Sequence, residues 1–522
     1  MAEYRKTIKD IDVKGKYVMV RAGLDVPLDS KKDLLDPQRV TDDTRIRDIL
    51  PTLKYLIENK AKIVLAAGWC GRPKGIDSDY SMAPVAKRLE QLLKKNGMLK
   101  YNVLLAPDCY KDKKPKSTYA SKEAVKAIVK SLKEGQIVVL ENVRYDPEAN
   151  ANDKDFAAFF ASLADIYVNE NETQNHRKEA TIATTPVLIA QKGGEVVYGF
   201  KYVDVLDKIG SLKQKLVASG RGPFVVGLCG KKIESDPGIT SKITVVMGLI
   251  GQMRKGDSIL VGGAVTYTFL LAQHYAPKIK SSFKKVNQVV EKYDKEIISQ
   301  TRDMKDKKKA EDVTAELQKK KSEELKGLIG ITDTEIKGLI GDSYIRWGQE
   351  GEQIIFAYNV MAVASSKDVD IITAFDHAIA NKLPDKSGAL PMDAEIKLHP
   401  SPTSIPSGWL GVGEGSRTLK KMATVIENAS IYLQSGPYSV EDGRVEELSR
   451  TDYLTFEAVR KCRKKGGLTI GAGGDTVARI HARNAGDAFS IITSAGGATL
   501  ELIESGTSVG KEAVEEAQRI KK

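Results

Sequence analysis

The sequence predicts an α/β protein of two doubly wound parallel-sheet domains joined by a hinge helix. Three observations predict it. Short, continuous apolar runs alternate with amphipathic helical patterns, as strands buried on both faces do. The alternation pauses near Tyr202 to Leu216 and then restarts. Glycine clusters fall where the predicted strands end. At ~150 residues per domain, a chain of 522 residues has room for two to four domains.

In the first block, Tyr17 to Val26 reads as a strand and Arg45 to Asn59 as a helix. Ile63 to Ala67, Val103 to Ala106, Ile137 to Leu140 and Ile166 to Asn169 read as further strands. Helical patterns at Met82 to Lys94, Lys122 to Leu132 and Asp155 to Leu163 separate them. In the second block the strands fall at Phe224 to Leu228, Ile259 to Val261, Asp370 to Thr373, Ile431 to Leu433, Leu468 to Ile470 and Ser490 to Thr493. Each block reads as a Rossmann-like unit. The boundaries are 1–200 for the first domain, 201–216 for the hinge helix, 217–500 for the second domain and 501–522 for a charged tail. From about 278 to 346 the chain is rich in Lys and Glu and lacks strand signals. This reads as an exposed helical excursion. It contains two KGLIG copies, Lys326 to Gly330 and Lys337 to Gly341, read as a pair of short helix starts.

Composition excludes several classes. Hydrophobic residues make up 41% and charged residues 29%, a soluble globular mixture. The four cysteines form no CxxC pair and the five histidines no ligand spacing, so a structural zinc site is not indicated. The apolar runs are shorter than the ~18 residues a membrane span needs. Residues 1–16 hold no apolar signal core, and the expectation is a cytoplasmic protein. The net charge of +12 suits either a lysine-rich solvated surface or attraction to anions. Aromatic residues are 6% and no basic stretch is interleaved with them, which argues against a nucleic-acid platform.

The glycine turns suggest phosphate binding. They are Gly230 after the strand at Phe224, Gly262 and Gly263 after Ile259, Gly473 and Gly474 after Leu468, and Gly496 and Gly497 after Ser490. Glycine at a strand-to-helix turn lets backbone amides approach an anion. Four such turns in one domain point to a nucleotide crevice. None is a P-loop or a clean GxGxxG. Asp475 offers a carboxylate for Mg²⁺. In the first block Arg21, Arg45, Arg72, Arg144 and Arg177 each lie near a strand end or a helix start. Arginine forks phosphate and carboxylate oxygens, so five of them suggest an anion basket. An anion on one domain and a nucleotide on the other would suit phosphoryl transfer through hinge closure.

Six motifs carry a resemblance. They are Val20-Arg21 to Pro27-Leu28, Thr41-Asp42-Asp43-Thr44-Arg45-Ile46, Gly71-Arg72-Pro73-Lys74-Gly75, Leu140-Glu141-Asn142-Val143-Arg144-Tyr145, Tyr267-Thr268-Phe269-Leu270 and Gly473-Gly474-Asp475-Thr476. In order and spacing the chain resembles phosphoglycerate kinase. The resemblance implies transfer of the acyl phosphate of 1,3-bisphosphoglycerate to Mg-ADP, and the reverse. It implies that Arg21, Arg45, Arg72, Arg144 and Arg177 hold the triose and its phosphate, with Arg45 also stabilising the transferring group. Lys232, and Lys242 as a second lysine, would meet the nucleotide phosphates as catalytic groups. Gly262 and Gly263 would line the adenosine pocket, Gly230 would belong to the nucleotide site and Asp442 would bind the ribose. Gly473, Gly474, Asp475 and Thr476 would meet the phosphates, with Asp475 toward Mg²⁺.

The chain departs from the family pattern at several places. The family's Arg-x-Asp-x-Asn reads Arg21-Ala22-Gly23-Leu24-Asp25 here, which puts an acid into an anion pocket. The Ser-His-Leu-Gly-Arg-Pro motif reads Ala67-Gly68-Trp69-Cys70-Gly71-Arg72-Pro73, without its histidine. The loop around Lys232 is longer and holds Pro237. Two functions follow as expectations. One is a phosphoglycerate kinase-like enzyme of reduced activity. The other is a degenerate paralogue serving as a structural or binding component, with a protein partner on 278–346 and the tail. A plain surface insertion explains the excursion equally well.

Overall fold

The computed structural model describes residues 5–68, 73, 77–106, 122–230, 242–301, 307–343, 347–384, 389–440, 446–493 and 496–521. They form two compact units. Unit 1 is Met1–Lys213 with Glu501–Lys522, and unit 2 is Gln214–Leu500. The division falls inside the helix Phe200–Val217.

Unit 1 is built on strands β1 (Tyr17–Ala22), β2 (Lys62–Ala67), β3 (Leu104–Leu105), β4 (Ile137–Val139), β5 (Ile166–Glu170) and β6 (Glu195–Tyr198). All pair in parallel, in the order β3-β4-β2-β1-β5-β6. Val18, Val20, Ile63, Leu65, Val139 and Val168 fill the core, where β-branched and aliphatic side chains suit a doubly covered sheet. The helix Ala83–Lys95 shows why its sequence is helical. Pro84 sits in the first turn, and Val85, Ala86, Leu89, Leu92 and Leu93 are buried, at the spacing of one helical face. The helix predicted over 45–59 is two helices, Thr44–Asp48 and Leu50–Glu58. Pro51 lies in the first turn of the second, where the ring cannot donate a backbone hydrogen bond.

Unit 2 carries β7 (Phe224–Leu228), β8 (Ser258–Val261), β9 (Asp370–Ile372), β10 (His377–Ala380), β11 (Ile396–His399), β12 (Leu410–Glu414), β13 (Ile431–Ser435), β14 (Leu468–Ala472) and β15 (Ile491–Thr493). Six of them form a parallel sheet ordered β15-β14-β13-β7-β8-β9. Numbered within the sheet this is 3-2-1-4-5-6, with the order reversing between β7 and β13. β11-β10-β12 form a separate antiparallel sheet.

The charged excursion is helical. One 37-residue helix runs Val265–Thr301 through Pro277, followed by Lys307–Ile329 and Asp333–Ile340. It buries an apolar face of its own, including Val286, Val289, Leu317, Leu325 and Ile336. Lys321 is buried between Asp294 at 2.8 Å and Glu352 at 2.9 Å, which ties it to two neighbouring helices. The two KGLIG copies close helices rather than start them. Gly330 and Gly341, just past the helix ends, adopt positive φ of 64° and 60°, which glycine accepts without strain.

The stretch 501–522, read from the sequence as a tail, contains the helix Val509–Ile520. Gly510 N donates to Asn175 O at 2.8 Å and Gly510 O accepts from Asn169 Nδ2 at 3.2 Å. Among the described residues no helix is long and apolar enough to cross a membrane.

Candidate functional site

In an open parallel sheet, ligands bind beyond the carboxyl ends of the strands where the order reverses. In unit 1 the reversal lies between β1 and β5. Arg21, on β1, is fully buried there. Its Nε donates to Thr181 Oγ1 at 2.9 Å, Nη1 to Ala22 O at 2.7 Å and Nη2 to Gln174 Oε1 at 2.9 Å. Its Nη2 also lies 3.6 Å from Glu179 Oε2. Arg144, in the turn Val143–Tyr145, donates from Nη2 to Glu179 Oε1 at 2.6 Å. Buried Glu179 therefore bridges two of the predicted arginines.

Arg177 adds a third positive charge. Burial lowers Arg144 to about 9, with Glu179 opposing the shift and Arg177 and Arg21 adding to it. Burial also lowers His176 to about 4, helped by Arg177 and Arg144. Two guanidinium groups thus meet the carboxylate of Glu179, with the charge of Arg177 acting on Arg144 beside them.

Arg45 and Asp25 form an ion pair, and Arg45 Nη1 also donates to the main-chain carbonyl of Asp25. Thr173 Oγ1 donates to Asp25 Oδ1 at 3.4 Å. Burial raises the Asp25 carboxyl above its ordinary range, against the pull of Arg45. The structure brings Arg21, Arg144 and Arg177 together, with the Arg45–Asp25 pair joined to the same loop through Thr173. Arg72 lies outside the described residues.

In unit 2 the reversal lies between β7 and β13. Three glycine turns meet there. A Cβ on Gly263 would lie 2.8 Å from Gly230 N, and one on Gly436 would lie 2.1 Å from Cys229 O. Both have positive φ, 64° and 96°. Only glycine suits this close backbone packing. Gly262 N donates to Leu228 O at 3.0 Å and Ala264 N to Gly230 O at 3.1 Å, fixing the turns against one another. Gly473 (φ 99°) leads into the helix Gly474–Ala482, whose N-cap residue makes no side-chain cap hydrogen bond. Its open amides and partial positive charge suit phosphate oxygens.

Asp475 is exposed on the first turn of that helix. One exposed carboxylate fits Mg²⁺, which is commonly held by one or two carboxylates together with substrate phosphates. Among the described residues no larger His, Cys, Asp and Glu cluster could hold a metal. Thr476 is buried and its hydroxyl accepts the Gly436 N–H at 2.8 Å. It braces the β13 turn rather than facing outward. Lys232 and Asp442 lie outside the described residues. Lys242 opens the helix Lys242–Ile250, and its side chain lies outside the described set.

Sequence reasoning missed Glu179 and Glu414. Glu179 follows Arg177 by two residues, and an acid inside a basic loop was the available signal. Glu414, at the end of β12, carried no comparable signal. Its Oε1 accepts the Gly263 N–H at 2.7 Å.

The family model described as phosphoglycerate kinase matches residues 8–339 and 325–506. The "Phosphoglycerate kinase" of Aquifex aeolicus is 30% identical over 499 residues, covering 96% of this chain and 95% of its own. The "Phosphoglycerate kinase, cytosolic" of Triticum aestivum is 29% identical over 511 residues, covering 98% of both. The solved phosphoglycerate kinase of Coxiella burnetii aligns with a TM-score of 0.60 at 22% identity, over 99% of this chain and 100% of its own. That of Pyrococcus horikoshii aligns with a TM-score of 0.63 at 18% identity, over 98% of this chain and 99% of its own. The two structural likenesses establish the fold.

Proposed function

Because the chain belongs to the phosphoglycerate kinase family, we propose that it catalyses reversible phosphoryl transfer between 1,3-bisphosphoglycerate and ADP, at reduced rate. The observation that carries this reading is the glycine-lined crevice at the strand-order reversal of unit 2, with the uncapped helix and exposed Asp475 beside it. Gly230, Gly262 and Gly263 leave bare backbone against which a nucleoside can lie. The Gly473–Gly474 turn, held by the Gly473 N–H on Thr493 O at 2.9 Å, presents the helix start to its phosphates, and Asp442 takes the ribose. Asp475 would hold Mg²⁺, which when bound neutralises charge on the nucleotide phosphates.

In unit 1, Arg21, Arg72, Arg144 and Arg177 hold the triose and its phosphate in this reading. Arg45 stabilises charge on the transferring group, and in unit 2 Lys232 and Lys242 meet the nucleotide phosphates. Such transfer rests on positioning and electrostatics, with little covalent work for the protein.

Reduced activity follows from the chain's own Asp25, which engages Arg45. Losing one preorganised donor typically costs ~10²–10³ in rate. The same occupancy favours a second reading, a binding component that keeps the nucleotide crevice and uses the 278–346 helices and the C-terminal segment to meet a protein partner. A cytoplasmic setting belongs to both readings.

A coupled assay with saturating Mg-ATP and 3-phosphoglycerate decides between them. Turnover above a Lys232→Ala control is expected. Turnover equal to that control overturns the enzymatic reading.

A further inference from the structure

We propose that Glu414 positions the glycine cradle of unit 2 as a neutral acid, and that its ionisation weakens nucleotide binding. The inference rests on the nucleotide reading above.

The geometry comes first. Glu414 is 1% exposed. Its Oε1 accepts from Gly263 N at 2.7 Å, and a Cβ on Gly262 would lie 3.0 Å from the same oxygen. The carboxyl therefore packs directly against the Gly262–Gly263 peptide. Its other oxygen, Oε2, is buried and has no hydrogen-bond partner among the described residues. An ionised carboxylate offers about four acceptor sites and pays heavily for burial without donors. One amide is a poor supply for it. A neutral acid needs far less.

The groups facing Glu414 supply no further proton. His377 lies across from it on β10. His377 Nε2 lies 3.0 Å from Pro402 O. A carbonyl can only accept, so Nε2 carries the proton and Nδ1 is the acceptor. Tyr267, from the helix Val265–Thr301, lies 3.4 Å from that Nδ1 and so donates there. Cys229 and Tyr438 close the other side around Gly262. Asp376 adds a like charge.

Burial keeps His377 neutral, lowered to about 4, and holds the Tyr267 and Tyr438 hydroxyls well above their usual range. Among the described residues no cation offsets a charge on Glu414. Burial accordingly raises its carboxyl to about 8, with Asp376 adding to the shift and the Gly263 N–H opposing it. Ionisation would set a negative charge behind a cradle whose ligand is itself a polyanion. It would also break the dry packing of the Gly262–Gly263 turn.

The test is calorimetric titration of the full chain with Mg-ADP at pH 7.5 and 9.5, above the phosphate's own titration near pH 6. If only the neutral form binds, Kd rises on the order of 20-fold across that interval. The Glu414→Gln protein should show a ratio near one. An equal ratio in the two proteins overturns the proposal. A second measurement needs no variant. At pH 8, titrations in two buffers of different ionisation enthalpy should show uptake of about half a proton per Mg-ADP bound. No uptake overturns the proposal while leaving nucleotide binding intact. Absence of Mg-ADP binding by the parent protein at pH 7.5 overturns the nucleotide reading itself.

Discussion

Replacing Asp25 with asparagine removes a negative charge from the anion crevice and frees Arg45. The side chains of Asp25 and Arg45 are 23% and 17% exposed, so water screens the pair only in part. A unit charge ~6 Å from a bound anion, at an effective dielectric constant of ~20, costs about 3 kcal/mol. Solvent and salt reduce this to ~1–2 kcal/mol. The expected result is that Asp25→Asn tightens 3-phosphoglycerate about tenfold.

Calorimetric titration at pH 7.5 and low ionic strength reads it directly. The gain should shrink when the titration is repeated in high salt. Folding should not suffer. Burial raises the Asp25 carboxyl, so ionising it costs the folded state, and that cost is present in full above the folded pKa. The asparagine variant therefore unfolds at equal or higher urea concentration at pH 7.5. An unchanged or weaker affinity for 3-phosphoglycerate refutes the placement of Asp25 beside the ligand.

Four further outcomes are expected. Gly510→Ala should lose ~2–4 kcal/mol in urea unfolding, because its Cβ would lie 2.1 Å from Asn175 Oδ1 in a buried contact. Lys321→Ala should cost ~1–3 kcal/mol by the same measurement, because it strands Asp294 and Glu352. Burial raises Glu170 to about 7 against the hydrogen bonds it accepts from Thr52 and from the amides of Lys201 and Tyr202. Stability from this group is therefore full below about pH 4.5 and is lost, on the order of 3 kcal/mol, as pH rises through 7; Glu170→Gln should flatten that slope in melts across the range. Glu179→Gln should lower the melting temperature by taking from Arg21 and Arg144 the carboxylate they share, and added inorganic phosphate should recover part of the loss.

All strands of the two parallel sheets except β6 were legible because burial on two faces leaves uninterrupted apolar runs, as in Tyr17–Ala22 and Ile431–Ser435. β6 and the antiparallel sheet were not. β12 reads Leu-Gly-Val-Gly-Glu, and alternating glycines weaken any strand signal. The excursion was read as starting at about 278, yet the helix Val265–Thr301 runs across that point and through Pro277, because tertiary packing of its buried face outweighs one lost hydrogen bond. The arginines were legible as a recurring residue type at strand ends. Their partners were not. Arg144 meets Glu179 across 35 positions, Gly263 meets Glu414 across 151 and Asn169 meets Gly510 across 341. A carboxyl's burial is decided by such distant contacts, and no local pattern encodes it.

The two acids in unit 1 act on the anion crevice in opposite ways. Glu179 is enclosed by Arg21 and Arg144, and without it the guanidinium groups would repel one another in a buried space. Burial is the main cause that lowers Arg144 to about 9, with Arg177 and Arg21 adding to the shift and Glu179 opposing it. A buried excess of positive charge is costly unless an anion relieves it. The clustering of three arginine charges at one end of the sheet suits an anion there. Asp25 works against the site, since it spends the charge of Arg45 on the chain itself. Arg45 is the arginine assigned to the transferring group, whereas Arg21, Arg144 and Arg177 are assigned to the triose alone. The internal charges therefore weigh on the chemical step as well as on binding, and a kcat lowered further than the affinity for the triose is the signature this arrangement supports.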